Sequence, residues 1–399
     1  MKKRFVTAAV TLTVLAIPTA AYAGGGHDGD HGHGGNAYTL AVYGDAPYGT
    51  SPTDTSEFDA TPAFIRSVNA DRDVSTVVHV GDIHSGKQYC TQAYDQSVAD
   101  LWRSFADPLV YTPGDNEWTD CHKAAEGGGT YDPTTGQVTY VTDPATGAPV
   151  DYAGGNPVSN LGLVRSIFFP RTGGTLGSGS LRVFSQAQLD NRAHPTDNQF
   201  VENVAWQQKG FQFATVDVPG GSNNDADPWY GAPTASPQQL QEAADRTAAD
   251  LRWIDTVFSA AHASRAQGVV LALQADMWDL DGKPASHLAD YEPIVASLAA
   301  HTKAFGGPVL LFTGDSHTYR SDNPLQAGAP CTGDEGVCAY DDWQSHPSYS
   351  VPNFHRIVVH GSTFPLEWLK FTVTPGGHAP ATATSFGPFS WQRMPQPQS

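Results

Sequence analysis

Five carboxylates in this chain share one setting. Each stands where a short apolar run stops: Asp45 closes residues 38–45, Asp82 closes 77–82, Asp115 closes 109–115, Asp276 closes 269–276 and Asp315 closes 309–315. Glycine precedes four of them and alanine the fifth. Short runs rich in β-branched residues predict buried strands, so each aspartate sits where the chain leaves a sheet. Open α/β folds place their ligands at that edge. Five like charges gathered there repel one another unless a cation lies between them. The chemistry expected of the set is therefore metal binding.

The elements that must position these residues alternate along the sequence. Residues 58–69 and 94–105 predict helices ahead of the second and third strands. The clearest helix opens at Ser236, a good N-cap, with Pro237 at the first helical position and Gln239 completing a capping box. Leu240, Ala244, Thr247, Leu251, Ile254 and Phe258 then recur at spacings of three and four, which predicts one buried stripe. Residues 289–300 predict another helix, and residues 211–218 and 355–360 two more strands. Residues 124–160 and 170–200 read as inserted loops or hairpins, and no internal repeat is present. The strand-end acids come from both halves of the chain, which predicts one α/β domain over 37–370 rather than two. Residues 371–399 are Pro-rich and read as a C-terminal arm without a clear element.

Residues 1–23 read as a signal peptide: a Lys-Lys-Arg start, an apolar core and a small-x-small end at Ala23. The core is too short to span a bilayer, and nothing after it predicts a membrane span. Residues 24–36, made mostly of Gly, His and Asp, read as a disordered tail. Removing the leader's three basic residues takes the formal charge from −19 to −22. So acidic a chain is repelled by nucleic acid and by anionic membranes. Four cysteines in an exported chain suggest two disulfides. Cys331 and Cys338 bracket a short loop and are expected to pair locally, and Cys90 with Cys121 would tie two strand-end loops together. No Cys-x-x-Cys motif supports a zinc site. The expected location is outside the cytoplasm, and the sequence carries no signal for oligomeric state.

Taken in order, Gly44-Asp45, Gly81-Asp82, Gly114-Asp115-Asn116-Glu117, Gln274-Ala275-Asp276 and Gly314-Asp315-Ser316-His317 resemble the motifs of the calcineurin-like metallophosphoesterases. The resemblance runs from about residue 40 to residue 317. Residues 114–121, Gly-Asp-Asn-Glu-Trp-Thr-Asp-Cys, are closer to a branch of exported bacterial proteins of that type. It implies a four-layer α/β/β/α sandwich with long loop insertions and two divalent cations at the strand ends. It also implies hydrolysis of a phosphate ester, small or extracellular, by metal-activated water. Asp45, Asp82, Asp115, Asn116, Asp276, Asp315 and His317 would hold the metals, with Asp82 as the bridging ligand.

The chain departs from the family pattern where that pattern has histidine. Pro47 follows the first motif, Asp115 and Asn116 fill the places of a metal-binding Asn and a catalytic His, and Asp315 replaces the first His of the last motif. A one-residue shift would instead keep Asn116 as a ligand. Carboxylates in place of imidazoles favour Mn, Mg or Ca, with Zn or Fe as the alternatives. Asn116, in the place of the catalytic His, cannot donate a proton as His would, and His84, two residues after Asp82, is the nearest substitute. Arg320 is placed to pair with a phosphate, and Asn223 and Asn224 to line the cleft; a structural salt bridge and a turn are the competing explanations. Trp118 and Trp278 follow strand-end acids and fit either core packing or stacking on a substrate ring. Two further functions fit parts of the pattern. A phosphoesterase fold without catalysis, binding metal or ligand outside the cell, fits the absent histidines. A glycosidase on a (β/α)₈ barrel fits the acids but not Gly-Asp-Ser-His.

Overall fold

The computed structural model describes residues 37–224, 227–280, 283–334 and 349–395. The expected signal peptide, the Gly/His-rich tail and Cys338 lie outside the described residues. In chain order the strands are β1 (Tyr38–Tyr43), β2 (Val74–His79), β3 (Leu109–Tyr111), β4 (Gly129–Asp132), β5 (Gln137–Tyr140), β6 (Phe184–Ser185), β7 (Val204–Gln208) and β8 (Phe211–Thr215). They continue with β9 (Val269–Ala272), β10 (Val309–Thr313), β11 (Arg320–Asp322), β12 (Thr332–Gly333), β13 (Phe354–Val358), β14 (Glu367–Val373), β15 (Ser385–Phe386) and β16 (Phe389–Pro395). The α-helices that pack on the sheets are α1 (Ser56–Ala70), α2 (Gln92–Trp102), α3 (Pro157–Phe168), α4 (Pro237–Ser264) and α5 (Glu292–Phe305).

Two sheets face each other. One has the order β15-β16-β14-β1-β2-β3, the other β12-β11-β13-β10-β9-β8-β7-β6, and β4 with β5 forms a separate hairpin inside the first insertion. The centre of each sheet is parallel: β1, β2 and β3 in the first, and β8, β9, β10 and β13 in the second. Parallel neighbours need crossovers, which α1 and α2 supply in the first sheet and α4 and α5 in the second.

The period of two along each strand sorts side chains into three cores. In β1, Tyr38, Leu40 and Val42 point between the sheets, where they join Phe213, Val270, Leu310 and Phe312. Ala41 and Tyr43 point the other way, toward Phe64, Val98, Trp102 and Phe168 of α1, α2 and α3. On the far side, Leu271 and Leu311 meet Trp253, Ile254, Val257 and Leu298 of α4 and α5. The order is helices, sheet, sheet, helices, the four-layer α/β/β/α sandwich expected from the sequence. Two packed sheets leave no closed barrel, and the glycosidase reading falls with it.

Three local expectations need correction. The buried stripe of α4 is rotated over its first half, where Ala243, Arg246 and Asp250 face inward and Leu240 is 48% exposed, while Ile254 and Phe258 are buried as expected. Arg246, bonded to Glu242 and Asn223, and Asp250, bonded to Asn203, hide this face from a hydrophobicity pattern. The capping box is half formed: Ser236 Oγ accepts from the Gln239 N–H at 3.1 Å. The Gln239 side chain instead turns inward to bond the Trp229 N–H and the Asp227 carbonyl. Residues 371–399 are not a free arm throughout, because β16 pairs with β14 along seven positions and buries Phe389 and Trp391.

Candidate metal centre

Because the parallel strands of each sheet run the same way, their carboxyl ends meet along one seam. β1, β2 and β3 deliver Asp45, Asp82 and Asp115 from the first sheet, and β9 and β10 deliver Asp276 and Asp315 from the second. Asp45, Asp82, Asp315 and His317 all have left-handed backbones, with φ of 49°, 61°, 72° and 59°. Aspartate adopts that region more readily than most side chains. Such strained residues cluster at functional sites, and here the kink turns each side chain from the strand axis into the seam.

The recurring Gly-Asp pair has a steric cause. A Cβ on Gly114 would lie 2.0 Å from Asp82 Oδ1, and one on Gly314 would lie 2.5 Å from Asp45 Oδ2. Gly114 makes room for the aspartate of the neighbouring strand and Gly314 for an aspartate of the facing sheet, so the motifs interlock. Backbone bonds then fasten the two sheets at the seam. The Asp315 N–H donates to Asp45 Oδ1 at 2.8 Å, and the Ser362 N–H donates to the Asp45 carbonyl at 2.7 Å.

Asp45, Asp82 and His317 each offer a ligand atom, and these atoms lie within 4.8 Å of one another; among the described residues no other such group of three occurs. Asp45 Oδ2 is buried without a hydrogen-bond partner. His317 Nε2 lies 3.7 Å from Asp45 Oδ1 and 3.3 Å from the Tyr48 hydroxyl. Beside this group, Asp115 Oδ2 and Asp315 Oδ1 both come within 2.6 Å of the point where a Cβ on Gly220 would stand. That cradle stays open only because residue 220 is glycine. Buried oxygens facing an open cradle, with one imidazole, fit divalent cations.

The electrostatics agree. Burial pushes the carboxyls of Asp45, Asp82 and Asp315 well above the usual range, and the charges of neighbouring acids push them further. Burial, with Asp120 next, raises Asp115 to about 7. Acids arranged to repel in this way are relieved by a cation.

Tyr48, which the sequence reading missed, sits at the centre of the group. Its hydroxyl donates to Asp82 Oδ2 at 2.5 Å and accepts from Asn116 Nδ2 at 2.9 Å. Its own N–H is held by Glu57 in the first turn of α1. The signal available was its place three residues after Asp45. Asp115 and Asn116 both line the cleft, and Asn116 Nδ2 also reaches Asp82 Oδ2 at 3.0 Å. Glu117 braces the turn instead, accepting from the Gly114 N–H at 2.7 Å and from the Tyr111 hydroxyl.

Several expected site residues have other partners. Asp276 lines the cleft but is bound by Arg356 and, at 3.1 Å, by Arg320, so its charge is already neutralised. Arg320 also pairs with Asp279 at 2.7 Å, which makes it part of a salt-bridge network rather than a waiting phosphate ligand. His84 is fully buried beside Tyr94, does not line the cleft, and burial lowers its pKa to about 4. A neutral ring in that place has no route to a leaving group. Trp118 and Trp278 are core residues, each under a buried guanidinium at 5.3 and 5.1 Å.

Asn223 and Asn224 face away from the cleft, and Gly221 and Ser222 line it in their place. Residues 221–224 form a left-handed turn, with φ of 59°, 63°, 56° and 63°. Such a run costs on the order of 1 kcal/mol for each non-glycine residue. Arg246 holds it, donating to Asn223 Oδ1 at 2.5 Å and to the Asn223 carbonyl at 3.0 Å. Asn224 Nδ2 donates to Glu242 at 2.6 Å. Cys90 and Cys121 form a disulfide that ties the loops following β2 and β3, as expected, while the other expected pair involves Cys338, outside the described residues.

Asp82, Asp115, Asp276, Asp315 and His317 line a cleft of about 500 Å³, with Asp45 buried behind them. Among known proteins, residues 29–262 match the family model described as calcineurin-like phosphoesterase. That match ends before Asp276, Asp315 and His317, which come from the second half of the fold. Among solved structures, a purple acid phosphatase from yellow lupin (Lupinus luteus) seeds is similar at 12% identity and a TM-score of 0.36, over 85% of this chain and 50% of that one. The chain thus spans about half the length of that structure. No curated protein matches it.

Proposed function

The chain belongs to the calcineurin-like phosphoesterase family, and on that premise we propose that it is an exported, metal-dependent phosphoesterase acting on a small phosphate ester. The observation that carries the proposal is the convergence of Asp45, Asp82 and His317 within 4.8 Å, with Asp82 and His317 lining the cleft and Asp45 buried beside them. Asp45, Asp82 and His317 would hold one divalent cation, and Asp115, Asn116 and Asp315 a second, with Asp82 between them. The carboxylate-rich set favours Mn, Mg or Ca over Zn or Fe. When bound, such cations neutralise phosphoryl charge and lower the pKa of water.

The chain's own groups fix the geometry. The Tyr48 hydroxyl and Asn116 Nδ2 both donate to Asp82 Oδ2 and hold that carboxylate in one orientation. The Asp315 N–H holds Asp45 through Oδ1 and leaves Oδ2 without a protein donor. The left-handed turn at 221–224 closes one side of the cleft, and Gly220 just before it keeps space between Asp115 and Asp315. Export is supported by the Cys90–Cys121 disulfide and the leader-like residues 1–23. No helix among the described residues is long and apolar enough to cross a membrane.

The single imidazole in the ligand group supports a second reading, a metal- or ligand-binding extracellular protein without turnover. Hydrolysis of an aryl phosphate monoester and diester with Mn, Mg, Ca and Zn separates the two. The proposal expects turnover with at least one metal, lost in a folded Asp82→Ala variant. Folded, metal-loaded protein that hydrolyses neither ester with any of the four leaves the non-catalytic reading.

A further inference from the structure

Lysine is rare in this chain. It has eight, two of them in the leader-like start. Of the other six, Lys87, Lys123 and Lys283 line the one cleft that holds the metal centre. Lys209 lies in the turn joining β7 to β8, Lys303 on α5, and Lys370 on β14, where it pairs with Asp71 and Asp73. In a chain of formal charge −19, half of the lysines beyond the leader thus stand at one mouth.

The three differ in what already holds them. Lys123 is paired with Asp120 at 2.5 Å. Lys87 and Lys283 make no ion pair with a described residue, and Lys283 Nζ meets His287 Nε2 at 3.3 Å, where the ring nitrogen serves as the acceptor. Lys87 follows β2 and Lys283 follows β9, so the two reach the cleft from opposite sheets. The acids of the cleft do not cancel them: Asp276 and Asp279 are taken by arginines, Asp120 by Lys123, and Asp82, Asp115 and Asp315 belong to the metal centre.

We propose that Lys87 and Lys283 form a second anion subsite, so that the preferred substrate carries a further phosphate beside the one at the metal centre. The proposal rests on the phosphoesterase reading above and names the substrate class of the same cleft. A strongly hydrated ammonium that no carboxylate neutralises suits phosphate as a point charge. An acidic protein repels a polyanion at long range, and a local pair of cations at the mouth offsets that repulsion where the substrate enters. The volume of about 500 Å³ suits a small bis-phosphorylated molecule or a diphosphate ester rather than a polymer.

The test uses ligands that cannot be hydrolysed. Propane bisphosphonate and propylphosphonate are titrated calorimetrically into the full chain in the presence of manganese. The bisphosphonate is expected to bind at least about tenfold more tightly, with the advantage shrinking as salt rises. Lys87→Ala and Lys283→Ala each reduce the advantage, and the double variant removes it; Lys209→Ala, away from the cleft, keeps it. Equal binding of the two ligands by the wild-type chain overturns the subsite, and so does a preference that survives the double substitution. A retained preference without turnover of any ester would count against the catalytic proposal alone. Turnover without a preference would count against the subsite alone.

Discussion

Gly220→Ala tests the metal cradle with a single methyl group. The new Cβ would stand 2.5 Å from Asp115 Oδ2 and 2.6 Å from Asp315 Oδ1. An ordinary nonbonded separation is about 3.5 Å, so the two carboxylates must withdraw by about 1 Å between them and the methyl group. Gly220 is not among the residues with a left-handed backbone, so alanine meets no torsional penalty and the effect is steric. Overpacking of this kind costs about 1–3 kcal/mol of stability, too little to unfold an ordinary domain. The cost to function is larger, because misplacing a reacting group by about 1 Å lowers a rate by about 10²-fold. Metal content after dialysis against manganese, and kcat/KM for an aryl phosphate, are the readouts. The expected variant is folded, holds less metal per chain than the wild type, and is slower by about two orders of magnitude. A folded Gly220→Ala with wild-type metal content and affinity would show that Asp115 and Asp315 do not share a cation.

Three further outcomes follow from single contacts. Arg356→Met leaves the Asp322 carboxyl buried without that guanidinium and Asp276 with Arg320 alone, and denaturant unfolding is expected to report a loss of about 3–5 kcal/mol; a loss under 1 kcal/mol would refute the pairing. Replacing Cys90 and Cys121 together by serine opens a link spanning 31 positions, with an expected loss of about 3–4 kcal/mol and weaker manganese binding, since Asp115 and Asn116 lie within that loop. Asp151 is buried with neither oxygen hydrogen-bonded, and burial raises its pKa from 3.8 to about 8. Between those values the folded state holds the extra proton, so this group's contribution falls as pH rises and is fully lost above about 8. Asp151→Asn is expected to flatten the pH dependence of unfolding and to exceed the wild type by about 2 kcal/mol at alkaline pH; an unchanged profile would remove Asp151 from the account.

What the sequence disclosed was set by how local its cause was. The strand-end acids were legible because a period of two, a glycine and an aspartate lie within a few residues of one another. The four-layer order followed from those strands and from the family resemblance together. Asp276 looked like a fifth ligand because its neutralising partner, Arg356, is 80 positions away. His84 looked available because its burial comes from Tyr94 and the surrounding loops, which no spacing reveals. The inward face of α4 was found at Ile254 and Phe258 but missed over the first half, because Arg246 and Asp250 are polar residues made acceptable by buried partners, among them Asn223 and Asn203. Tyr48 and Gly220 were missed for a related reason. Each acts at a point that exists only once the two sheets meet. The strand β16 was hidden by the Pro-rich stretch around it, although Phe389 and Trp391 alternate as an inward face should.

The central claim is that the seam holds divalent metal through Asp45, Asp82 and His317. Calorimetric titration of manganese into metal-stripped wild-type chain and into Asp82→Ala tests it most directly. The account predicts two equivalents bound by the wild type, and by the variant a loss of the site that Asp45 and His317 share with Asp82. A folded wild-type chain that binds no divalent cation, or an Asp82→Ala chain that binds metal as the wild type does, would contradict it.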